Sequence, residues 1–203
     1  MKLYDGGRAP NPRRVRIFLA EKGITVPIEQ LDLGALQHRT DAYTAINPMQ
    51  RVPVLMLDDG TAISESVAIC RYFEEVQPEP PLFGVGTVDR ATVEMWNRRM
   101  ELGLFGAVAA AFRHLNAKMS SLEVPQVAAW GEANKPKVAF ILEWLDRELA
   151  QRPFIAGMNY SIADITTLVA IDFMKPARID RPKSLPNLER WHREVSSRPS
   201  AAA

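Results

Sequence analysis

The stretch from Asn47 to Val76, NPMQRVPVLMLDDGTAISESVAICRYFEEV, leaves a chain the fewest choices. A proline ring clashes with the helical conformation of the residue before it, so Val52, ahead of Pro53, is held extended. The apolar run Val54 to Leu57 reads as a short strand. Asp58-Asp59-Gly60 reads as a tight turn in which glycine supplies a positive φ at no steric cost. A second strand ends at Ile63. A Ser-Glu-Ser cluster then opens a helix whose apolar positions Ile69, Cys70, Phe73 and Val76 fall on one face. The order is corner, strand, hairpin, strand, helix.

Two places in this stretch carry chemistry. With Val52 at a sheet edge, its N–H and C=O are free to pair with another peptide. Glu65 and Ser66 stand where the helix begins, and the orphaned N–H groups of a helix start favour an anion. A serine hydroxyl beside them binds a carboxylate and a glutamate holds an ammonium, a pairing suited to an α-amino acid head group. The plainer alternative is a buried hairpin with an ordinary N-cap at Ser64 or Ser66.

The order NP-x-x-x-VP-x-L, then DG, then I-x-ES-x-AI-x-x-Y resembles the glutathione-binding half of the cytosolic glutathione transferase family. The resemblance implies a thioredoxin-like domain with a cis bond before Pro53. It implies that the Val52 backbone pairs with the cysteinyl part of glutathione, and that Glu65 and Ser66 hold its γ-glutamyl end. The run QHRTDAYTAINPMQRVPVL is similar to a theta-class segment. By that likeness His38, by itself an exposed loop histidine, approaches the glycyl carboxylate, and Gln50 and Arg51 flank the peptide ahead of Val52 and Pro53.

The chain before this stretch reads as a βαβ unit. Lys2-Leu3-Tyr4 is a strand, broken by Asp5-Gly6-Gly7. Arg8 to Pro12 is expected to be loop, with Asn11 capping a helix from Arg13 to Lys22 that stops at Gly23. Val15, Phe18 and Leu19 form its inner face. Ile24 to Leu33 is a second strand carrying Val26, Ile28 and Leu31, and Gln37 to Tyr43 a short polar helix or turn. The sum is βαβαββα.

In the resembling family the loop before the first helix delivers a Tyr, Ser or Cys to the glutathione sulfur, whose thiolate is the nucleophile. Alignment on R-x-V-x-I-F sets Ala9 where theta-like members carry serine, and Pro12 at another such position; neither has a donor. Tyr4 belongs to the sheet. Asn11 is the catalytic candidate: its amide can donate to a thiolate, and nu-class bacterial members are similar in using asparagine there. The alternative for Asn11 is capping alone. Arg8, Arg13, Arg14 and Arg16 cluster at this end and are expected on a solvated surface, with attraction of glutathione's carboxylates as the other reading. Cys70 is a core residue.

Gln77-Pro78-Glu79-Pro80-Pro81 is a linker, and the chain beyond it is helical. The expected division is a glutathione-binding domain over 1–77, a linker over 78–84 and an all-α domain over 85–203. One long helix is expected from Val88 to Ala117. A second, Pro125 to Ala150, carries an inner stripe of Val138, Ile141, Leu142, Leu145 and Leu149, with a kink or break at Pro136. Ser161 and Asp164 have capping-box spacing; the S-I-A-D-I segment resembles the family's helix-start signature and is structural. Pro186 begins a last helix, Leu188 to Ser197. Arg99, Leu102, Gly103, Gly106 and Arg113 are candidates to line an inter-domain cleft for a second substrate.

Composition bounds the rest. A net charge of +1 points to neither nucleic acid nor an anionic membrane. A single cysteine excludes an internal disulfide and suits a reducing compartment. No export leader and no span-length apolar run is visible, so a cytoplasmic location is expected. Three scattered histidines and the one cysteine make no metal site. The expectation is therefore a glutathione transferase-like enzyme. It uses glutathione as co-substrate against a small hydrophobic electrophile or a hydroperoxide, and by resemblance it is a homodimer. The rivals are a glutathione-dependent lyase, isomerase or disulfide reductase, and a non-catalytic binding protein of the same fold.

Overall fold

A computed structural model describes residues 1–203. The chain forms two compact units: Met1–Pro81 together with Pro199–Ala203, and Leu82–Arg198.

The first unit runs β1 (Lys2–Asp5), α1 (Pro10–Lys22), β2 (Ile28–Gln30), α2 (Asp41–Ile46), β3 (Val54–Met56), β4 (Ala62–Ser64) and α3 (Ser66–Val76), the expected βαβαββα order. The four strands lie in the order β2-β1-β3-β4. β1 pairs parallel to β2 and antiparallel to β3, and β3 pairs antiparallel to β4. This is a thioredoxin-like sheet. Leu3, Val15, Phe18, Leu55, Ile69 and Cys70 make its core.

Several local expectations are corrected. α1 starts at Pro10, not Arg13, and its N-cap is Ala9 with no side-chain bond; Asn11 sits inside the first turn. Proline fits there because a first-turn N–H has no helical partner to lose. Gly23 ends the helix as expected, at φ +66°. β2 shrinks to Ile28–Gln30, with every residue exposed on the sheet edge, while Val26 before it is buried. Val76 is also exposed rather than on the inner face of α3.

The Pro-rich segment after α3 is anchored by a buried ammonium. Lys22 Nζ donates to the carbonyls of Gln77 (2.8 Å), Pro78 (3.0 Å) and Pro80 (2.6 Å) and pairs with Glu74. The terminal segment Pro199–Ala203, expected with the helical domain, packs instead on α1. Arg13 Nη2 donates to the Ala201 carbonyl at 3.0 Å and Ser200 bonds Glu21.

The second unit is all helical. α4 (Gly86–Arg98) passes through a π-helical segment (Arg99–Phe105) into α5 (Gly106–Leu115), in place of the one long α-helix expected. α6 (Ala128–Leu149) runs through Pro136 as a single helix, so of the two expectations, a kink or a break, the break is absent. Its stripe of Val138, Leu142, Leu145 and Leu149 is buried. α7 (Ile162–Phe173) opens on the Ser161–Asp164 capping box, and α8 spans Pro186–Ser196. Asp164 is the unit's polar hub. Its carboxylate accepts from the Ile155 N–H (2.9 Å), the Ser161 N–H (3.0 Å) and hydroxyl (3.1 Å), and Trp191 Nε1 (2.8 Å).

Candidate functional site

The first unit brings three chain segments to one end of its sheet: the start of α1, the entry to β3 and the start of α3. Pairing of Val54 with Ser64 sets this, because residues 52 and 53 then lie alongside 65 and 66 at the end of the β3–β4 ladder.

At the entry to β3 the Val52–Pro53 bond is cis. The carbonyl of Arg51 is held by the Tyr43 hydroxyl at 2.6 Å and by Asn47 Nδ2 at 2.9 Å. Across a trans peptide the next N–H points the opposite way, so these two bonds direct the Val52 N–H away from the body of the sheet. Neither the N–H nor the C=O of Val52 has a hydrogen-bond partner in the chain. Sequence reasoning does not single out Tyr43 and Asn47, although both lie in the family-like run. Burial pushes the Tyr43 phenol up to about 12, so it remains a donor at physiological pH. Gln50 sits at φ +54°, its side-chain amide donating to Thr44 Oγ1 at 2.9 Å. Arg51 is exposed.

At the start of α3 the N-cap is Glu65, not Ser64 or Ser66. Glu65 has φ +70° and ψ 117° and makes no capping bond. Such backbone in a residue with a Cβ costs about 1–3 kcal/mol and clusters at ligand sites. The Glu65 side chain is exposed, while Ser66 is buried. Arg14, on α1, is fully buried and donates from Nη1 to Ser66 Oγ at 2.9 Å; that hydroxyl in turn donates to Asn11 Oδ1 at 3.4 Å. The arginines at this end are therefore not one solvated cluster. Arg14 is internal, Arg16 pairs with buried Asp5 and donates to the Gly7 carbonyl, Arg13 holds the chain end, and Arg8 is exposed.

The first turn of α1 is short of donors. Pro10 and Pro12 have no N–H, and the Arg13 N–H already bonds the Ala9 carbonyl at 3.3 Å. The backbone N–H and side-chain amide of Asn11 are the donors left at this helix start. Ala9 and Pro12 contribute none.

His38, expected on an exposed loop, is buried in a 3-10 turn at Gln37–Arg39. Burial, with the positive charges of Arg39 and Arg51, holds its pKa below the ordinary imidazole value. The same surroundings favour its neutral form over the cation.

Of the second-substrate candidates, Leu102, Gly103 and Gly106 line a cavity of about 820 Å³ within the helical unit. Arg99 instead lies over the stacked pair Trp96 and Trp144, 4.8 Å from the Trp96 ring centre. The Arg113 carbonyl accepts from Gln126.

The fold and these segments define a protein with a thioredoxin-like α/β unit followed by a helical one. Residues 9–76 match the glutathione S-transferase N-terminal domain and residues 95–199 the C-terminal domain of the same family. The chain belongs to the glutathione S-transferase family. It is 33% identical to glutathione S-transferase 2 of Saccharomyces cerevisiae over 98% of this chain and 87% of that protein. It is 34% identical to maleylacetoacetate isomerase of Pseudomonas aeruginosa over 74% of this chain and 66% of that protein. Among solved structures, a glutathione S-transferase domain-containing protein of Marinobacter aquaeolei VT8 superposes with TM-score 0.95 at 40% identity, covering 98% of this chain and 99% of that one. Gtt2 of Saccharomyces cerevisiae gives TM-score 0.94 at 33% identity, covering 100% and 99%.

Proposed function

We propose that the protein binds glutathione at the junction of α1, β3 and α3 and activates its thiol for attack on a small hydrophobic electrophile or a hydroperoxide. The observation that carries this reading is the unpartnered backbone of Val52, presented outward by the grip of Tyr43 and Asn47 on the Arg51 carbonyl. An extended peptide pairs with such an edge through its main chain, whatever its side chains. Pro53 ends the edge, Glu65 and Ser66 bind the γ-glutamyl amino acid group, and Gln50 and Arg51 lie along the peptide. His38, in its neutral form, serves the glycyl carboxylate as a hydrogen-bond donor and not as a counter-ion.

Asn11 is the thiolate donor in this reading. A thiol with pKa near 8.5 is about 3% ionised at pH 7, and lowering that pKa by one unit through stabilisation of the anion raises the fraction to about a quarter. Asn11 supplies both donors remaining at the α1 start, so the charge develops where the helix dipole favours it. Bound glutathione also gives proximity to the acceptor. The reading includes a theta- or nu-like bacterial type without the usual Ser, Cys or Tyr, a cytoplasmic location and a homodimer.

The test is a pH titration of bound glutathione by its ultraviolet thiolate absorbance. A pKa well below 8.5 that returns towards it in Asn11→Ala is expected. Tight binding with an unshifted pKa, or no response to Asn11→Ala, would remove the activation step. A second reading, a glutathione-dependent isomerase, is favoured by the donor-free Ala9 and by the similarity to maleylacetoacetate isomerase. Turnover of cis-enedione acids without consumption of glutathione would select it.

A further inference from the structure

The loop between α7 and α8 holds a titratable contact that is independent of the glutathione reading. The start of this loop is pinned: the Ile179 N–H bonds the Met174 carbonyl at 3.0 Å, and Ala177 and Ile179 are buried. Leu185, buried at the N-cap of α8, pins the far end. Between these anchors residues 180–184 are exposed apart from part-buried Pro182. Ser184 sits at φ +65°, a left-handed backbone that is unfavourable for a residue with a Cβ. This stretch makes one hydrogen bond to the rest of the chain, from Arg181 Nη2 to His192 Nε2 on α8 at 3.2 Å.

The same ring nitrogen lies 3.1 Å from Asp172 Oδ1 on α7. A guanidinium has donors only, and a carboxylate has acceptors only. One nitrogen therefore cannot bond both at once. Without a proton Nε2 accepts from Arg181; with one it donates to Asp172. Ser196, one turn along α8, has its hydroxyl 3.5 Å from both ring nitrogens and selects neither. Asp146 on α6 is committed to the N–H groups of Asn187 and Leu188, at 2.8 and 2.9 Å, and Arg190 to the carbonyls of Leu149 and Arg152. Lys175, Glu189, Arg193 and Glu194 are exposed. Asp164 on α7 holds Trp191 Nε1, one residue before His192, and is the group whose titration must be told apart from that of His192.

We propose that His192 is a proton-operated latch on this loop. Neutral, with its proton on Nδ1, it holds Arg181 and keeps residues 180–184 in place. As pH falls it becomes an imidazolium, pairs with Asp172 and repels Arg181. The loop is then released, while the new ion pair keeps α7 and α8 together.

Nitrogen-15 NMR of the full chain tests this. The imidazole spectrum is expected to show neutral His192 with its proton on Nδ1, and His192→Gln assigns the signal. Backbone order parameters at Lys183 and Ser184 are expected to fall from about 0.85, the value of rigid backbone, to below about 0.6 as His192 takes up its proton. Those of Ile179 and of both helices are expected to stay high, which separates release from unfolding. His192→Gln offers Arg181 an acceptor that does not titrate, so its loop is expected to stay ordered throughout. Arg181→Met is expected to leave the loop mobile throughout. A neutral His192 protonated on Nε2 would overturn the latch. So would loop order that ignores the titration of His192, or a loop as ordered in Arg181→Met as in wild type. Loosening on acidification in His192→Gln would assign the effect to Asp164 and overturn it as well.

Discussion

Arg14 and Ser66, fifty-two residues apart and on different helices, are joined by a 2.9 Å hydrogen bond from which water is excluded. The bond ties α1 to α3 directly beneath the proposed peptide site. It also fixes the serine rotor: the oxygen accepts from Arg14, so the single hydroxyl proton goes to Asn11 Oδ1. An asparagine whose carbonyl end is engaged presents its nitrogen as donor.

Replacing this serine therefore has two effects. Ser66→Ala removes an acceptor from a buried guanidinium, which costs about 1–3 kcal/mol. It also releases Asn11. The urea midpoint is expected to fall, and glutathione affinity with it. Ser66→Thr, which keeps the hydroxyl, is expected to retain most of both. Equal midpoints for wild type and Ser66→Ala would show that the bond does not contribute to stability.

Lys22 offers a sharper stability experiment. Lys22→Met removes the ammonium that pairs with buried Glu74 and donates to three carbonyl groups. Removing one member of a buried pair costs about 3–5 kcal/mol, and removing both costs less. Adding Glu74→Leu to Lys22→Met should thus restore part of the loss. A double variant less stable than the single one would contradict the charge argument.

Much of this architecture is legible in the sequence, and the misses share a cause. The β3–turn–β4–α3 order, the Gly23 stop and the Ser161–Asp164 box are written in neighbouring residues, so local chemistry is enough to find them. Arg14 looks like a surface cation because its partner is on another helix. The π segment RMELGLF contains nothing that separates it from α-helix, because widening a helix answers to what packs against it. Val76 has the right spacing for α3's inner face, but it sits at the helix's last residue, where the sheet no longer covers it. At the site, Val52, Glu65 and Ser66 are legible through motif order. Tyr43 and Asn47 are not, because their task is to hold a carbonyl, which leaves no signature in residue type.

Asp164 gives a pH prediction. Burial raises its carboxyl from 3.8 to about 6, with the surrounding donors pulling the other way. A carboxyl whose folded pKa is raised binds its proton more tightly in the folded state. Its contribution is therefore greatest below the unfolded pKa, falls as pH rises between about 4 and 6, and is level above that. At about 1.4 kcal/mol per pKa unit this is about 3 kcal/mol. The difference in unfolding free energy, wild type minus Asp164→Asn, is expected to decline across that window in urea titrations at fixed ionic strength. A flat difference would show that the donors cancel the burial.

Two glycines separate backbone from packing effects. Gly23, at φ +66°, has open space where a Cβ would go, so Gly23→Ala is expected to cost about 1 kcal/mol through conformation alone. Gly131 is helical, and there alanine would ordinarily stabilise by about 1 kcal/mol. A Cβ at Gly131, however, meets Leu115 Cγ at 2.6 Å. Gly131→Ala is accordingly expected to destabilise, by about 1–3 kcal/mol. Thermal melts of the two variants decide; a stabilised Gly131→Ala would mean that Leu115 yields at little cost.

The chain's last residues lie against its first helix, through Arg13 to Ala201 and Ser200 to Glu21. Synthesis therefore delivers the thioredoxin-like unit in two instalments. The sheet and its helices leave the ribosome early, but the outer edge of α1 waits for a segment translated after every helix of the other unit. A fragment cut after Pro81 would carry every proposed glutathione contact and still lack the piece that finishes its own surface.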